Sequence, residues 1–86
     1  MYLLVGLGNP GLQYSKNRHN VGFLIIDEIQ KEYGFPNYKE KFVGHISENR
    51  IKEHKVFLLK PQTFMNDSGR SVIEASSFYK ISVDNI

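Results

Sequence analysis

The chain has 86 residues, a formal net charge of +2 and no cysteine, with 41% hydrophobic and 23% charged residues. A domain of this size buries about 60–65% of the surface of its unfolded chain, so one small domain is the ceiling, and the lack of cysteine excludes disulfide staples and thiolate metal sites. The composition is globular rather than disordered or collagen-like, and the modest basic charge permits a polyanion partner without the dense basic stripe of a dedicated nucleic-acid binder.

In chain order, the apolar run at residues 2–7 predicts a strand buried in a sheet covered on both faces. That run is too short for a signal peptide or a membrane span, which points to a cytoplasmic protein with no membrane partner. Gly8-Asn9-Pro10-Gly11 supplies four turn-formers in a row, and residues 12–20 are polar without an apolar period, so a long loop follows the strand. Val21, Gly22, Ile25, Ile26, Ile29 and Tyr33 then recur at helical spacing, with Asp27, Glu28, Lys31 and Glu32 expected on the opposite face. Asn20 fits the N-cap, Gly34 the left-handed C-cap, and Pro36 forbids continuation.

Residues 42–47 read as an alternating strand with Phe42, Gly44 and Ile46 on one face, Glu48-Asn49-Arg50 as a polar connection, and residues 56–59 as a shorter apolar strand. After Pro61 a loop runs to Asn66-Asp67-Ser68-Gly69. Val72, Ile73, Ser76 and Tyr79 then form a second helical stripe, capped by Asp67 or Ser68 and ending near Lys80. The order strand, helix, strand, strand, helix predicts an α/β layer fold with a mixed, partly parallel sheet and helices on its faces. Residues 81–86 resemble the lead-in to a further strand, so the expected domain, residues 1–86, is incomplete at its carboxyl end.

Several residues could carry chemistry. Gly6-Leu7-Gly8-Asn9-Pro10-Gly11 satisfies the dinucleotide-binding glycine pattern, but the helix should then open within the glycine loop and an acid should end a second strand. Here a polar stretch intervenes before Val21, and Asp27 falls inside the helix. His19, between Arg18 and Asn20, has two readings. It is a surface histidine beside a helix cap, or it is a base, since an imidazole with a pKa of about 6.5 is suited to taking a proton from water.

Asn9 and Asn66 are either turn-capping side chains or amides that grip a peptide and stabilise an oxyanion. Phe64 and Met65 either pack beneath their loop or stack on a substrate. His45 and His54 lack the spacing of a zinc site, so neither a metal nor another cofactor is expected.

Read together, Val5-Gly6-Leu7-Gly8-Asn9-Pro10-Gly11, Tyr14, Asn17-Arg18-His19-Asn20-Val21-Gly22 and Lys60-Pro61-Gln62-Thr63-Phe64-Met65-Asn66-Asp67-Ser68-Gly69 resemble the signature of the bacterial-type peptidyl-tRNA hydrolases. Each string alone is modest; in this order they are specific. The resemblance spans the whole chain but only the amino-terminal part of the family's domain.

It implies hydrolysis of the ester between an N-blocked peptide and the terminal ribose of tRNA. His19 would be the general base and Asn9 the residue that separates blocked from free aminoacyl ends. Asn66 would hold the peptide backbone, and Tyr14 and Phe64 would meet the tRNA end. The family's orienting aspartate, a further asparagine and the residues that clamp phosphates belong beyond residue 86, and Asp84 is not assigned to that role. The 86 residues alone are therefore expected to be a poor enzyme and to self-associate through unpaired strand edges, whereas the longer family form is expected to be monomeric. The competing expectation is a catalytically silent RNA-binding or scaffold fragment of the same fold.

Overall fold

In the computed structural model, residues 1–8, 21–62 and 67–86 are described. The elements are β1 (Tyr2–Val5), α1 (Val21–Glu32), β2 (Lys39–Lys41), β3 (Gly44–Ile51), β4 (His54–Pro61), α2 (Ser68–Tyr79) and a closing 3-10 turn at Val83–Asn85. The four strands form one mixed sheet in the order β1-β4-β3-β2. β1 lies parallel to β4 with Val5 beside Leu59, while β3 runs antiparallel to both of its neighbours, β4 and β2. The α/β class with a partly parallel sheet is therefore as expected.

The strand pleat divides the core. Phe57 and Leu59 of β4 join Leu3, Ile46, Ala75 and Ile81 under α2, whereas Val56 and Leu58 join Ile26 and Phe35 under α1. Because successive side chains of a strand point to opposite faces, α1 and α2 must cover opposite faces of the sheet. β1 is only half covered. Leu3 is fully buried, but Tyr2 and Leu4 on the other face remain 39% exposed, which corrects the expectation of a strand enclosed on both sides.

The α1 stop signal is realised in full. Gly34 takes φ +67°, its N–H donates to Lys31 O at 3.4 Å and the Phe35 N–H donates to Gln30 O at 2.9 Å, the paired bonds of a Schellman end. The face buried by α1 differs from the expected stripe. Ile26 is buried while Val21, Ile25 and Tyr33 are exposed, and Asp27, expected on the solvent side, turns toward the sheet. Helical periodicity fixes which residues share a face but not which of two neighbouring faces the sheet selects.

The region from 39 to 61 is more regular than its sequence suggested. β2 was not anticipated because Lys39-Glu40-Lys41 is wholly charged and exposed. Phe42 is not a strand residue: Phe42 and Val43, at φ 57° and 52°, close the β2–β3 hairpin with the double positive φ of a type I′ turn, a conformation that β-branched residues rarely adopt. Glu48, Asn49 and Arg50 belong to β3, and the true turn is Lys52-Glu53, with Lys52 at φ 56°. The polar side chains on β3 serve the α1 layer. Ser47 Oγ donates to Pro36 O at 2.7 Å and Asn49 Nδ2 donates to Tyr33 O at 3.2 Å, tying down the connection from α1 to β2.

α2 also rotates relative to its expected stripe. Ser68, Ser71 and Ala75 are buried and Ile73 is 65% exposed. Small residues win this face because α2 lies close above Gly44, where an added Cβ would sit 3.0 Å from Ser71 Oγ and from Leu59 Cδ1. Asp67 stands at the N-cap without a side-chain cap hydrogen bond and pairs loosely with Arg70 at 3.8 Å. Lys80, at φ 56°, ends the helix where expected, and the following residues form a turn rather than a strand.

Candidate active site

Every site residue implied by the family resemblance lies in one of two segments, 9–20 or 63–66, both outside the described residues. Asn9, Tyr14 and His19 fall in the first, Phe64 and Asn66 in the second, as does the proposed N-cap Asn20 in the first. What the structure defines is the frame from which the two segments depart and to which they return.

Both depart from one end of the sheet. β1 and β4 are adjacent and parallel, so their carboxyl ends point the same way, and the Gly6 N–H donates to Leu59 O at 3.0 Å just before the first segment. The second leaves after Gln62, whose N–H donates to Val43 O at 2.9 Å. The segments return at the amino ends of α1 and α2, on opposite faces of the sheet. In open α/β sheets the crevice outside the carboxyl ends of the strands is the usual ligand site. Neither helix carries an acidic residue in its first turn, so the positive end of each dipole is uncompensated there except by Asp67 at the α2 N-cap.

The return to α1 is held by glycine against glycine. A Cβ on Gly6 would collide with the Gly22 carbonyl oxygen and lie 2.5 Å from Ile26 Cγ1, and one on Gly22 would strike the Leu7 backbone. The end of β1 and the first turn of α1 are thereby in backbone contact, which fixes the amino end of α1 beside the carboxyl end of β1. The glycines thus have a packing role, and the dinucleotide reading loses its acid: Asp27 sits within α1 and is committed elsewhere.

Its partner is Lys60. Lys60 Nζ donates to Asp27 Oδ1 at 2.7 Å, and the Tyr38 hydroxyl donates to the same oxygen at 2.8 Å. The Lys60 side chain is only 13% exposed, and its ammonium lies 4.2 Å from the centre of the Tyr38 ring and 5.8 Å from that of Phe23. Burial, above all, and then the hydrogen bond and charge of Asp27 push the Tyr38 hydroxyl well above its ordinary pKa, so it remains a donor.

Sequence reasoning quoted Lys60 only as part of a motif and placed Asp27 on the solvent side. The available signal was parity: Lys60 follows Val56 and Leu58 on one face of an apolar strand, and a cation at such a position requires a partner. The network ties the carboxyl end of β4 to α1. Beside it, His45 Nε2 is 3.8 Å from Glu40 Oε1 and its ring centre 6.5 Å from that of Tyr38. Among the described residues no group of three or more His, Cys, Asp or Glu is placed to hold a metal ion, and no helix is long and apolar enough to cross a membrane.

The family model for peptidyl-tRNA hydrolases matches residues 3–86. The chain belongs to the peptidyl-tRNA hydrolase family. It is 54% identical over its full length to the peptidyl-tRNA hydrolase of Ruegeria pomeroyi, covering 36% of that protein, and 54% identical to that of Clostridium botulinum, covering 46%. A crystal structure of the peptidyl-tRNA hydrolase of Acinetobacter baumannii superposes with a TM-score of 0.88 and 43% identity, over 95% of this chain and 42% of that one. The chain thus spans less than half the length of these family members.

Proposed function

We propose that this chain supplies the amino-terminal part of an enzyme that hydrolyses the ester between an N-blocked peptide and the 3′-terminal ribose of peptidyl-tRNA. Within that reading His19 takes a proton from water as the water oxygen attacks the ester carbonyl. Asn66 steadies the resulting oxyanion, and the ribose oxygen leaves with the proton returned by His19, yielding free tRNA and a peptide acid. Asn9 selects blocked substrates, because its amide N–H can donate to a peptide carbonyl, whereas a free ammonium offers it no acceptor. Tyr14 and Phe64 stack on the exposed bases of the tRNA end. The reaction needs no metal or other cofactor. The same reading gives a cytoplasmic location, weak activity for the 86 residues alone, and weak self-association.

The observation that carries this reading, beside family membership, is that β1 and β4, the strands that precede segments 9–20 and 63–66 in the chain, are adjacent and parallel, so that their carboxyl ends share one end of the sheet. The test is peptide release from N-acetyl-aminoacyl-tRNA by the chain extended with the remaining part of a family member. His19→Ala should lower the rate by at least about 10². Equal rates for the two proteins would sink the assignment.

A further inference from the structure

Lysine and aromatic side chains meet on the α2 face of the sheet, at the β2 edge. Lys39 and Lys41 alternate with Glu40 along β2, so the two lysines share one face and Glu40 lies on the other, beside His45. The lysine face is that of α2, because Lys39 is paired with Ile46 and Ile46 belongs to the core under α2. Lys41 Nζ lies 5.7 Å from the centre of the Phe78 ring, which is 64% exposed at the carboxyl end of α2. Phe42 and Tyr79 brace Phe78, with ring centres 5.4 Å and 5.0 Å from its own.

A hollow of about 90 Å³ opens beside this group, with Asn37, Lys39, Lys41 and Tyr79 in its walls. The carboxylate that lines it, Glu48, is held by Lys55 Nζ at 3.4 Å, so the two β2 lysines leave an excess of positive charge there. Burial, and then Glu48, raise the pKa of the Tyr79 hydroxyl, which therefore stays a hydrogen-bond donor. Charge on an edge strand also keeps it from pairing with a second chain. That role accounts for neither the hollow nor the exposed ring beside the lysines.

Two cations about 6.8 Å apart along a strand, next to an exposed ring, are the parts with which proteins hold unpaired nucleic acid. The cations follow the phosphates and the ring stacks on a base. An acidic peptide would engage the lysines and leave the ring unused.

We propose that Lys39, Lys41 and Phe78 form a binding site for unpaired RNA on the α2 face, with the lysines on successive phosphates and a base stacked on the Phe78 ring. The choice of RNA rests on the hydrolase reading given above. The site shares no residue with the ester-cleaving group of Asn9, His19 and Asn66.

The probe is a fluorescein-labelled single-stranded RNA of about 12 nucleotides, without an aminoacyl ester, titrated with the 86-residue protein and followed by anisotropy. Because the probe has no ester, its binding and the hydrolysis assay of the extended protein fail independently. Saturable binding is expected, with log K falling against log salt at a slope of at least about 1.4 in magnitude, about 0.7 for each phosphate. Lys39→Ala and Lys41→Ala, at exposed strand positions, should each reduce that magnitude by about 0.7. Phe78→Leu should weaken binding at least about fivefold at an unchanged slope, and Phe78→Tyr, which keeps a stacking ring, should bind as the parent does. Lys52→Gln, in the β3–β4 turn, should change nothing. Three outcomes overturn the proposal: no saturable binding at about 100 μM protein; binding indifferent to both lysine variants and to Phe78→Leu, which would place the RNA elsewhere on the chain; or equal binding of a polyglutamate peptide of matched charge, which would make this a surface for acidic protein.

Discussion

The α1 and α2 faces of this sheet solve the same problem, covering β4, by different chemistry. Under α1 the contact ends in polar cross-links: Lys60 to Asp27, Tyr38 to Asp27, Ser47 to Pro36 and Asn49 to Tyr33. Under α2 it is made of small side chains above Gly44 and a cluster of Phe42, Phe57, Phe78 and Tyr79 with ring centres 4.2–5.6 Å apart. The single buried polar atom left there without a hydrogen-bond partner among the described residues is Ser71 Oγ. Polar cross-links are directional and fix the position of α1 along the sheet, and with it that of the helix's amino end at Val21. Apolar packing holds α2 down but tolerates sliding better.

That contrast can be broken by mutation, most severely at the backbone contact. Gly6→Ala should destabilise the protein by about 3 kcal/mol and lower its melting temperature by roughly 15 °C, because a methyl group there meets the Gly22 backbone as well as the buried Ile26 side chain; calorimetry reads it directly. Asp27→Asn comes next, at about 2 kcal/mol in urea unfolding, since it leaves the 13% exposed Lys60 ammonium facing a neutral amide. Lys60→Met should cost less, about 1 kcal/mol, because the more exposed carboxylate keeps its bond from Tyr38. If the order of these two variants were reversed, the carboxylate left without its cation, rather than the buried ammonium left without its carboxylate, would be the costlier group.

The pH dependence follows from Tyr38 and Tyr79, both raised chiefly by burial, with Asp27 and Glu48 respectively adding to the effect. The folded state holds these protons after the unfolded chain has released them. Their stabilisation is therefore complete below pH about 10 and declines as pH rises above it. Unfolding of Tyr38→Phe followed from pH 8 upward should show a shallower decline, leaving the Tyr79 component. The smallest effect is expected on the other face. Ser71→Ala removes an unpartnered hydroxyl from a fully buried site and should change stability by less than about 1 kcal/mol, toward greater stability. A loss comparable to that of Asp27→Asn would show that α2, too, is held by a polar contact.

The sequence by itself determined the class of fold, both helices, the Gly34 stop and the family strings, because each is encoded locally: in the periodicity of apolar residues, in turn chemistry, or in residue order. It also nominated Asn9, Tyr14, His19, Phe64 and Asn66, which lie outside the described residues and keep the standing of a proposal. Only the tertiary structure decided what depends on neighbours distant along the chain. It paired the charged β2 with β3, extended β3 through Glu48-Asn49-Arg50, and chose which flank of each helix meets the sheet. It also joined Asp27 to Lys60 across 33 residues. A charged strand has no apolar pattern to announce it, and an ion pair has none until both partners are brought to the same face. The parallel pairing of β1 with β4 is of the same kind, and it is this pairing that sends segments 9–20 and 63–66 out from one end of the sheet.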